Sequence, residues 1–253
     1  MSRLRLLIEY DGTDYVGWQR QSNGVSVQQR VEEALSVAYG VPCIIHGAGR
    51  TDAGVHASGQ CAHVELPDGA HEIPIEKAPV AINTRLPKDI RILGVEQVHD
   101  SFHARFDAIW REYVYSIALV PRVFNRRTSW HTDLPYDRDL FAEALASMRG
   151  QHNFTAFSKS NPSTTSYICD LQICQTSVNG DVLEVRLRAD RFVYGMCRAI
   201  IGASMSVARK RLSIDELTTL HDSAQRLVAP SLAPAHGLCL VGVGYPDQPL
   251  SQD

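Results

Sequence analysis

Long apolar runs are absent from this sequence. No stretch approaches the roughly 20 apolar residues that a transmembrane helix needs, and the opening residues lack an apolar core long enough for a secretory signal peptide. The chain is otherwise balanced, with 44% apolar and 21% charged residues among 253. That composition is typical of a globular protein with one large core or two ordinary ones. We therefore expect a cytoplasmic protein with no membrane association.

Paired cysteines and the common nucleotide-binding motifs are also missing. The six cysteines form no Cys-x-x-Cys pair and no disulfide framework, so we expect buried thiols in a reducing compartment. The sequence contains no Gly-x-Ser-x-Gly nucleophile elbow and no Gly-x-x-x-x-Gly-Lys-Ser/Thr phosphate loop. No dinucleotide fingerprint follows a predicted strand. These absences exclude the commonest nucleotide cofactors.

A global excess of positive charge is absent too, because the formal net charge is −3. Two local groups of bases nevertheless stand out. One runs from 186 to 211 with a single acid, Asp190, and the other runs from 122 to 127 with no acid. A segregated basic surface is what phosphate binding requires, and an ordinary solvated face is the alternative. The bases are Arg186, Arg188, Arg191, Arg198, Arg209, Lys210 and Arg211 in the first group, and Arg122, Arg126 and Arg127 in the second.

Residues 47–59 form a glycine-rich segment, Gly-Ala-Gly-Arg-Thr-Asp-Ala-Gly-Val-His-Ala-Ser-Gly. An apolar run precedes it, and a run that alternates apolar and polar residues follows it from 60 to 66. Because glycine permits positive φ and close backbone approach, we expect a loop of fixed shape between two strands. That loop would display one carboxylate, Asp52, with Arg50 two residues before it. The alternative is a plain turn in which Asp52 bonds its own backbone.

Apolar periodicity along the chain predicts two similar halves. Each half approximates the order strand, helix, strand, strand, helix, strand. We therefore predict the α+β class, with two ferredoxin-like (RRM-like) domains, 1–104 and 105–253, whose antiparallel sheets flank a central basic active-site cleft. The predicted strands are 3–10, 42–46, 60–66, 90–98, 108–119, 167–177, 182–189 and 238–245. The predicted helices are 27–39, 74–83, 137–149, 194–209 and 213–224, and 246–253 is predicted to be a loose tail.

The candidate chemistry then reduces to one displayed carboxylate, several arginines, and tyrosines on a strand. Asp52 can act as a nucleophile or a base without a metal. Arg198 could pair with it and keep it ionised, and Tyr113 could stack on a base or move a proton. Each residue also has an ordinary structural interpretation, as a turn residue, a helix-surface cation or a strand aromatic.

A metal site near the glycine-rich segment is a second hypothesis. It would use His46, His56, Cys61 and His63, of which Cys61 and His63 alternate along a predicted strand and so share a face. The spacing matches no zinc pattern, and we therefore expect no metal. If these four residues did bind a metal, the protein would be a metal-dependent hydrolase, which is a second alternative function.

Motifs along nearly the whole chain resemble the tRNA pseudouridine synthase A family. Residues 49–57, Gly-Arg-Thr-Asp-Ala-Gly-Val-His-Ala, resemble that family's catalytic motif. The remaining motifs follow in the family's order, and an ordered set of this kind is specific. They are Tyr10-Asp11-Gly12-Thr13, Gly17-Trp18-Gln19, Phe102-His103-Ala104-Arg105-Phe106, Arg111-x-Tyr113-x-Tyr115, Phe154-x-x-Phe157-Ser158, Met196-x-Arg198 and Ala233-Pro234-x-x-Gly237-Leu238.

The resemblance implies an isomerase without cofactor or metal that converts uridine to pseudouridine in the tRNA anticodon stem-loop. It implies that Asp52 starts glycosidic cleavage by attack on the base, attack on the sugar, or removal of a sugar proton. Tyr113 would pack on the base and assist a proton step, Arg198 would pair with Asp52, and Leu238 would line the base pocket. Arg50 would hold the target nucleotide out of its stack, which costs a few kcal/mol. Members of the family act as homodimers, with one tRNA touching both subunits.

Three positions depart from the family pattern. Asp107 stands where a small hydroxyl residue is usual, Tyr194 precedes Gly195 where a histidine is common, and Ala208 stands where glycine often ends a helix. These departures bear on fine positioning and substrate range. The main alternative to an isomerase is an RNA-binding protein with the same scaffold and no catalysis.

Overall fold

The computed structural model describes residues 2–159, 164–222 and 231–246. These described residues form ten strands and five α-helices, so the predicted α+β class is confirmed. The strands are β1 (Ser2–Tyr10), β2 (Ile45–Gly47), β3 (His56–Leu66), β4 (Ile90–Val98), β5 (Trp110–Ala118), β6 (Trp130–His131), β7 (Gly150–Asn153), β8 (Ile168–Asn179), β9 (Val182–Ala189) and β10 (Leu238–Gly244). The helices are α1 (Val27–Tyr39), α2 (Ala78–Asn83), α3 (Arg138–Ala146), α4 (Met196–Ala208) and α5 (Ile214–Asp222).

The chain divides into two compact units. Unit 1 comprises the described residues of Met1–Ile109 and Cys239–Asp253, and unit 2 comprises those of Trp110–Leu238. The division into folding domains at 104/105 stays a prediction. The residues after 238 belong to unit 1 by their contacts.

Unit 1 contains a mixed sheet with the strand order β4-β1-β3-β10. β1 lies antiparallel between β3 and β4, and β2 pairs antiparallel with β3. β10 runs parallel to β3, with Cys239 opposite His56 and Leu240 opposite Ala57. The expectation of a purely antiparallel sheet is therefore wrong for this unit, because β10 returns to β3 in the same direction.

Helix α1 begins and ends where its sequence predicts. The Ser26 hydroxyl accepts the Gln29 amide at 3.2 Å, which satisfies one of the amides that the first turn leaves without a partner. Gly40 ends the helix with φ 72°, a left-handed conformation that glycine adopts without steric cost. Val31 and Leu35 on its apolar stripe are fully buried, and burial of each contributes about 1.5–3 kcal/mol.

Unit 2 contains a sheet in which β5, β9, β8 and β7 are neighbours in that order, all antiparallel. The short β6 adds to β5 in parallel. The predicted Asn179-Gly180 hairpin is confirmed, since Gly180 has φ 56° and Asn179 lies opposite Val182. The side chains of β9 alternate between buried and half-buried, and α3 packs against α4 and β8. One face of this sheet therefore forms the core of unit 2.

Strand β3 begins at His56, inside the glycine-rich segment, rather than at the predicted residue 60. Residues 56–59 lack the alternation of a strand, but they are paired on both edges. Ala57 lies opposite Tyr10 of β1 and opposite Leu240 of β10. A Cβ on Gly59 would lie 2.2 Å from the carbonyl oxygen of Val241, so only glycine fits there. Tertiary pairing therefore overrides the weak local propensity.

Several smaller features complete the comparison with the predictions. Sequence patterns do not predict β6 and β7, because strands of so few residues show no periodicity. All six cysteines are free thiols, five of them buried and Cys239 half-buried. None of the described helices is long and apolar enough to cross a membrane. Residues 223–224 of the fifth predicted helix and residues 247–253 of the predicted tail lie outside the described residues.

Candidate active site

A tight turn carries Asp52 between β2 and β3. The two strands are antiparallel, and the Ala48 amide donates to the Cys61 carbonyl at 2.7 Å just beyond their paired residues. The Val55 amide donates to the Asp52 carbonyl at 3.1 Å, which closes a four-residue turn. Gly54 is third in that turn with φ 76°, the position at which a type II turn requires positive φ. Asp52 is therefore the first residue of a turn with defined backbone geometry.

Two buried polar side chains hold the segment on the N-terminal side of Asp52, one through a side chain and one through the backbone. The Tyr10 hydroxyl lies 2.8 Å from the Thr51 hydroxyl, and the Gln60 side-chain amide donates to the Gly49 carbonyl at 3.0 Å. Tyr10 and Gln60 are almost completely buried, and burial raises the pKa of the Tyr10 phenol, which keeps it neutral. A buried hydrogen bond that loses one partner leaves the other unsatisfied, at a cost of about 1–3 kcal/mol. These bonds therefore restrict the turn strongly.

The segment after β1 braces the same turn from a second side. The Trp18 amide donates to the Thr51 carbonyl at 3.1 Å, and the Gly12 amide donates to Nδ1 of His56 at 3.1 Å. Gly17 has φ 107°, and a Cβ there would lie 2.6 Å from the Thr51 carbonyl oxygen. The glycine allows the Trp18 amide to reach the turn. The motifs Tyr10-Asp11-Gly12-Thr13 and Gly17-Trp18-Gln19 therefore share one structural role, which is to support the turn that carries Asp52.

The two candidate residues on the turn differ in their surroundings. Asp52 is half-buried and Arg50 is exposed. Arg50 has no hydrogen bond or ion pair with the described part of the chain. A fixed, partly desolvated carboxylate suits a nucleophile or a base, and an exposed guanidinium suits contact with a large anionic partner.

Tyr113 lies on the buried face of β5 in unit 2. It pairs with Leu187 of β9 and is 7% exposed. Its ring meets that of Phe192 edge-on, with the centroids 5.1 Å apart and the planes at 85°. That geometry is the favoured one for an aromatic pair and fixes the plane of the tyrosine ring.

Arg198 is the third residue of α4 and is half-buried. Its Nε donates to the Ala233 carbonyl at 2.7 Å, and the Ala233 amide donates to the Arg198 carbonyl at 3.0 Å. The first turn of α4 contains no acidic residue. A guanidinium at the positive end of a helix dipole is not stabilised by that dipole, so the arginine and the helix together favour an anionic partner.

Leu238 is 5% exposed and follows a short 3-10 helix, Ala235–Gly237. The Tyr115 hydroxyl donates to the Pro234 carbonyl at 2.9 Å. A Cβ on Gly237 would lie 2.6 Å from the Tyr115 ring. The buried tyrosine therefore fixes the backbone that presents Leu238.

The five candidate residues fall into two sets. Arg50 and Asp52 share one turn of unit 1, whereas Tyr113, Arg198 and Leu238 belong to unit 2. Sequence reasoning does not identify the residues that hold the turn, Tyr10 and Gln60. The alternation of β1 and β3 places both on strands, but no local pattern shows which loop they contact.

The residues of the metal hypothesis do not converge. His56 and His63 lie seven positions apart on one strand, a separation of about 23 Å at 3.3 Å per residue. The His46 and His63 rings stack face to face at 5.0 Å, and Nδ1 of His63 accepts the Ala104 amide at 3.1 Å. Burial, with His103 and His46 nearby, lowers the pKa of His63 to about 4. Within the described ranges, no three His, Cys, Asp or Glu side chains are placed to hold a metal ion.

The three departures from the family pattern have local partners. The Asp107 carboxylate accepts the His103 amide at 2.8 Å and so stabilises the turn between them. The Lys159 ammonium lies 5.0 Å from the centre of the Tyr194 ring. Ala208 is buried at the end of α4, and its carbonyl accepts the Asp137 amide at 2.9 Å.

Comparisons with known proteins agree on one family. The profile of a family described as tRNA pseudouridine synthase matches residues 6–107 and 144–246. A protein of Akkermansia muciniphila named tRNA pseudouridine synthase A is 39% identical over 98% of this chain and 97% of its own length. A protein of the same name from Picosynechococcus is 37% identical over 97% of this chain and 89% of its own length. Another, from Gloeobacter violaceus, is 39% identical over 98% of this chain and 82% of its own length.

Proposed function

We propose a function from one premise: the chain belongs to the tRNA pseudouridine synthase family. It is an isomerase that converts uridine to pseudouridine in tRNA. The reaction breaks the N1–C1′ bond of uridine and forms a C5–C1′ bond, while C5 loses a proton and N1 gains one. No atom or electron is added overall, so we propose that the chain needs no cofactor and no metal. We further propose that the modified uridines lie in the anticodon stem-loop.

Asp52 is the catalytic carboxylate in this proposal. The observation that carries it is the turn itself. The backbone on both sides of Asp52 is hydrogen-bonded, through Thr51 before it and Val55 after it, while the side chain stays half-buried. A catalytic group that is already held in its reactive geometry does not have to lose entropy to reach that geometry during the reaction. Small displacements of such a group reduce the reaction rate strongly.

The other candidate residues serve the same nucleotide. Arg50 is exposed and without a partner in the described chain, so it is available to fill the gap that an extruded nucleotide leaves. Tyr113 has an oriented ring that can pack on uracil while it is detached. Arg198 is the cationic partner of the Asp52 carboxylate in this proposal, and Leu238 supplies an apolar wall for the base. Water must be excluded during the reaction, because it would hydrolyse the detached intermediate.

The finer architecture follows from the same reasoning. The part of unit 1 before residue 110 has the strand and α-helix order β-α-β-β-α-β, which supports a ferredoxin-like domain. We propose that the enzyme has two such domains with a basic active-site cleft, that it acts as a homodimer, and that it works in the cytoplasm. Light scattering at working concentration measures the mass that distinguishes a dimer from a monomer.

Pseudouridine mapping by mass spectrometry tests the catalytic assignment. The substrate is a transcribed tRNA treated with the wild type, with Asp52→Asn, or with Asp68→Asn. Asp68 is an exposed carboxylate of the same unit and controls for the change in charge. We expect Asp52→Asn to form no pseudouridine and to bind tRNA normally, while Asp68→Asn stays active. Full turnover by Asp52→Asn would refute the assignment and favour a different catalytic group.

Two further variants separate the roles in unit 2. Arg198→Ala should reduce kcat more than it weakens tRNA binding, and equal loss in both would indicate a phosphate contact instead. Tyr113→Phe keeps the flat ring and removes the phenol. A full rate in that variant would assign Tyr113 to packing alone. A chain with no turnover in any form but with specific tRNA binding would be the non-catalytic RNA-binding protein.

A further inference from the structure

A loop of unit 2 exposes a large aromatic side chain to solvent. We call residues 119–129 the arginine loop. Phe124 at its tip is 100% exposed and its neighbour Val123 is 71% exposed. An apolar surface of this kind in water is unfavourable by about 25 cal/mol per Å². Such an exposed aromatic therefore indicates a contact that the isolated chain does not make.

The arginine loop is held in shape although its tip is exposed. The Asn125 carbonyl accepts the amides of Thr128 and Ser129 at 3.0 and 2.9 Å. A guanidinium nitrogen of Arg126 donates to the Val123 carbonyl at 2.8 Å, which closes the tip. The tip is therefore preorganised, and little conformational entropy remains to be lost when a partner binds.

The base of the loop is anchored to the β8–β9 hairpin. Arg122 donates through Nε and Nη2 to Oδ2 of Asp181, at 3.2 and 2.6 Å. The Leu119 amide also donates to the Asp181 carbonyl at 2.8 Å. Asp181 is the acid that faces this part of the loop, and Arg122 already neutralises it. Arg126 adds a further positive charge to the loop and is exposed.

One member of the first basic group, Arg209, packs beside the strand that follows the arginine loop. The Arg209 guanidinium lies 5.9 Å from the centre of the Trp130 ring and donates to the Thr132 hydroxyl. Arg209 opens the run Arg209-Lys210-Arg211 that ends the first basic group. Arg209 therefore contacts the residues that directly follow the arginine loop, Trp130 and Thr132.

We propose that the arginine loop is a second contact with tRNA, at which Phe124 stacks on an unpaired nucleobase while Arg126 binds a flanking phosphate. This inference rests on the proposed function, because it takes tRNA as the partner. Aromatic rings interleaved with arginine are the chemistry by which proteins bind unpaired RNA. Unpaired loops of tRNA offer both the exposed base and the phosphates. The contact would lie outside the residues assigned to the reaction.

A second copy of the chain fits this surface less well. A stable protein–protein contact buries about 800 Å² on each partner. Phe124 supplies about 150–250 Å² of that, and three of the other ten residues of the loop are arginines. Aromatic residues and arginine also occur in protein interfaces, so the small area of the loop is what argues against a second copy. A polyanion with flat bases matches the loop better than an apolar protein surface does.

Substitution of Phe124 tests the stacking contact. The wild-type chain is compared with Phe124→Trp, Phe124→Leu and Phe124→Ala, and with Val178→Ala as an exposed apolar control in the same unit. We expect Phe124→Ala and Phe124→Leu to raise the Kd for tRNA about five- to thirtyfold, equivalent to about 1–2 kcal/mol. Phe124→Trp and Val178→Ala should retain the wild-type Kd. In all variants, kcat at saturating tRNA should stay within about twofold of the wild-type value, because the loop does not act on the reacting atoms.

Substitution of Arg126 tests the phosphate contact. Arg126→Gln should flatten the slope of log Kd against log salt by about one unit, as expected for the loss of one phosphate contact. Arg126→Lys keeps the charge and should restore the slope. An unchanged slope in Arg126→Gln would overturn the phosphate contact.

The outcomes separate this inference from the function on which it rests. If the wild type forms pseudouridine and Phe124→Ala binds tRNA with unchanged Kd, the inference is wrong and the function stands. Full binding by Phe124→Leu, with a lower oligomeric mass for Phe124→Ala in light scattering, would assign the loop to a protein interface and overturn the RNA contact. If the wild type forms no pseudouridine, the proposed function itself fails.

Discussion

Two buried tyrosines of unit 1 allow a matched test of how the Asp52 turn is held. Tyr10 and Tyr39 are each 2% exposed. The Tyr10 hydroxyl lies 2.8 Å from the Thr51 hydroxyl next to Asp52. The Tyr39 hydroxyl has no hydrogen-bond partner among the residues that the structure describes. Replacing each with phenylalanine removes one buried oxygen and leaves the ring, so the variants differ in the hydrogen bonds that the Tyr10 hydroxyl makes with Thr51 and Gln60.

The expected changes have opposite signs. Tyr10→Phe leaves the buried Thr51 hydroxyl unsatisfied, which costs about 1–3 kcal/mol. Tyr39→Phe removes a polar group that is buried without a partner, so the free energy of unfolding should stay constant or rise by about 1 kcal/mol. For a chain of this size each kcal/mol shifts Tm by about 2–4 °C. The melting temperatures should therefore separate clearly.

Catalysis provides the second measurement on the same pair. Tyr10→Phe loosens the backbone beside Asp52, and we expect kcat to fall about tenfold with little change in KM, because misplacement of a reacting group affects the rate more than binding. Tyr39→Phe should keep wild-type kcat. Equal stability changes in the two variants, or an unchanged kcat in Tyr10→Phe, would refute the reasoning that this hydrogen bond fixes the turn.

Two further predictions concern unit 1. Gly54 has φ 76°, whereas Gly49 lies outside the left-handed region and a Cβ added there would meet no atom within 4 Å. In urea unfolding, Gly54→Ala should therefore destabilise the chain by about 1–2 kcal/mol, and Gly49→Ala should be nearly neutral. Equal losses of stability in the two variants would contradict the argument from backbone conformation. The pKa of His63 is lowered from 6.5 to about 4 in the folded chain. Burial of the neutral imidazole therefore contributes its full stability above pH 6.5. That contribution, at most about 3 kcal/mol, is lost as the pH falls from 6.5 to 4, because the unfolded chain takes up the proton first. His63→Asn should flatten the pH dependence of Tm over this range, and an unchanged profile would exclude His63 as its source.

Local patterns predict most of the elements of this fold. Helix α1 is predictable from its own cap residues, because Ser26 and Gly40 act within one turn of the helix ends. Strand β4 is predicted at its observed bounds, Ile90–Val98, because apolar residues alternate along it. Strand β3 is predicted too short, since residues from His56 onward pair for reasons that lie in β1 and β10. Sequence patterns therefore predict a helix or strand when the residues that determine its bounds lie within it or next to it.

The candidate site divides in the same way. Asp52 and Arg50 are found from a continuous motif, and the turn of unit 1 carries both. The Tyr10 contact joins positions 41 residues apart, and no spacing along the chain indicates it. The partners of Arg198 at residue 233 and of Tyr115 at residue 234 are likewise distant in sequence. Positions of catalytic type can thus be read from the chain, whereas the residues that fix them cannot.

The pairing of β10 with β3 has a consequence for synthesis of the chain. Ribosomes deliver residues in order, and domains generally fold as they emerge. Unit 1 is assembled from two stretches of chain that are separated by all of unit 2. Until residues 239–246 are made, the start of β3 exposes an unpaired edge, which is a site of unwanted association. During that part of synthesis, unit 1 lacks the strand that covers this edge.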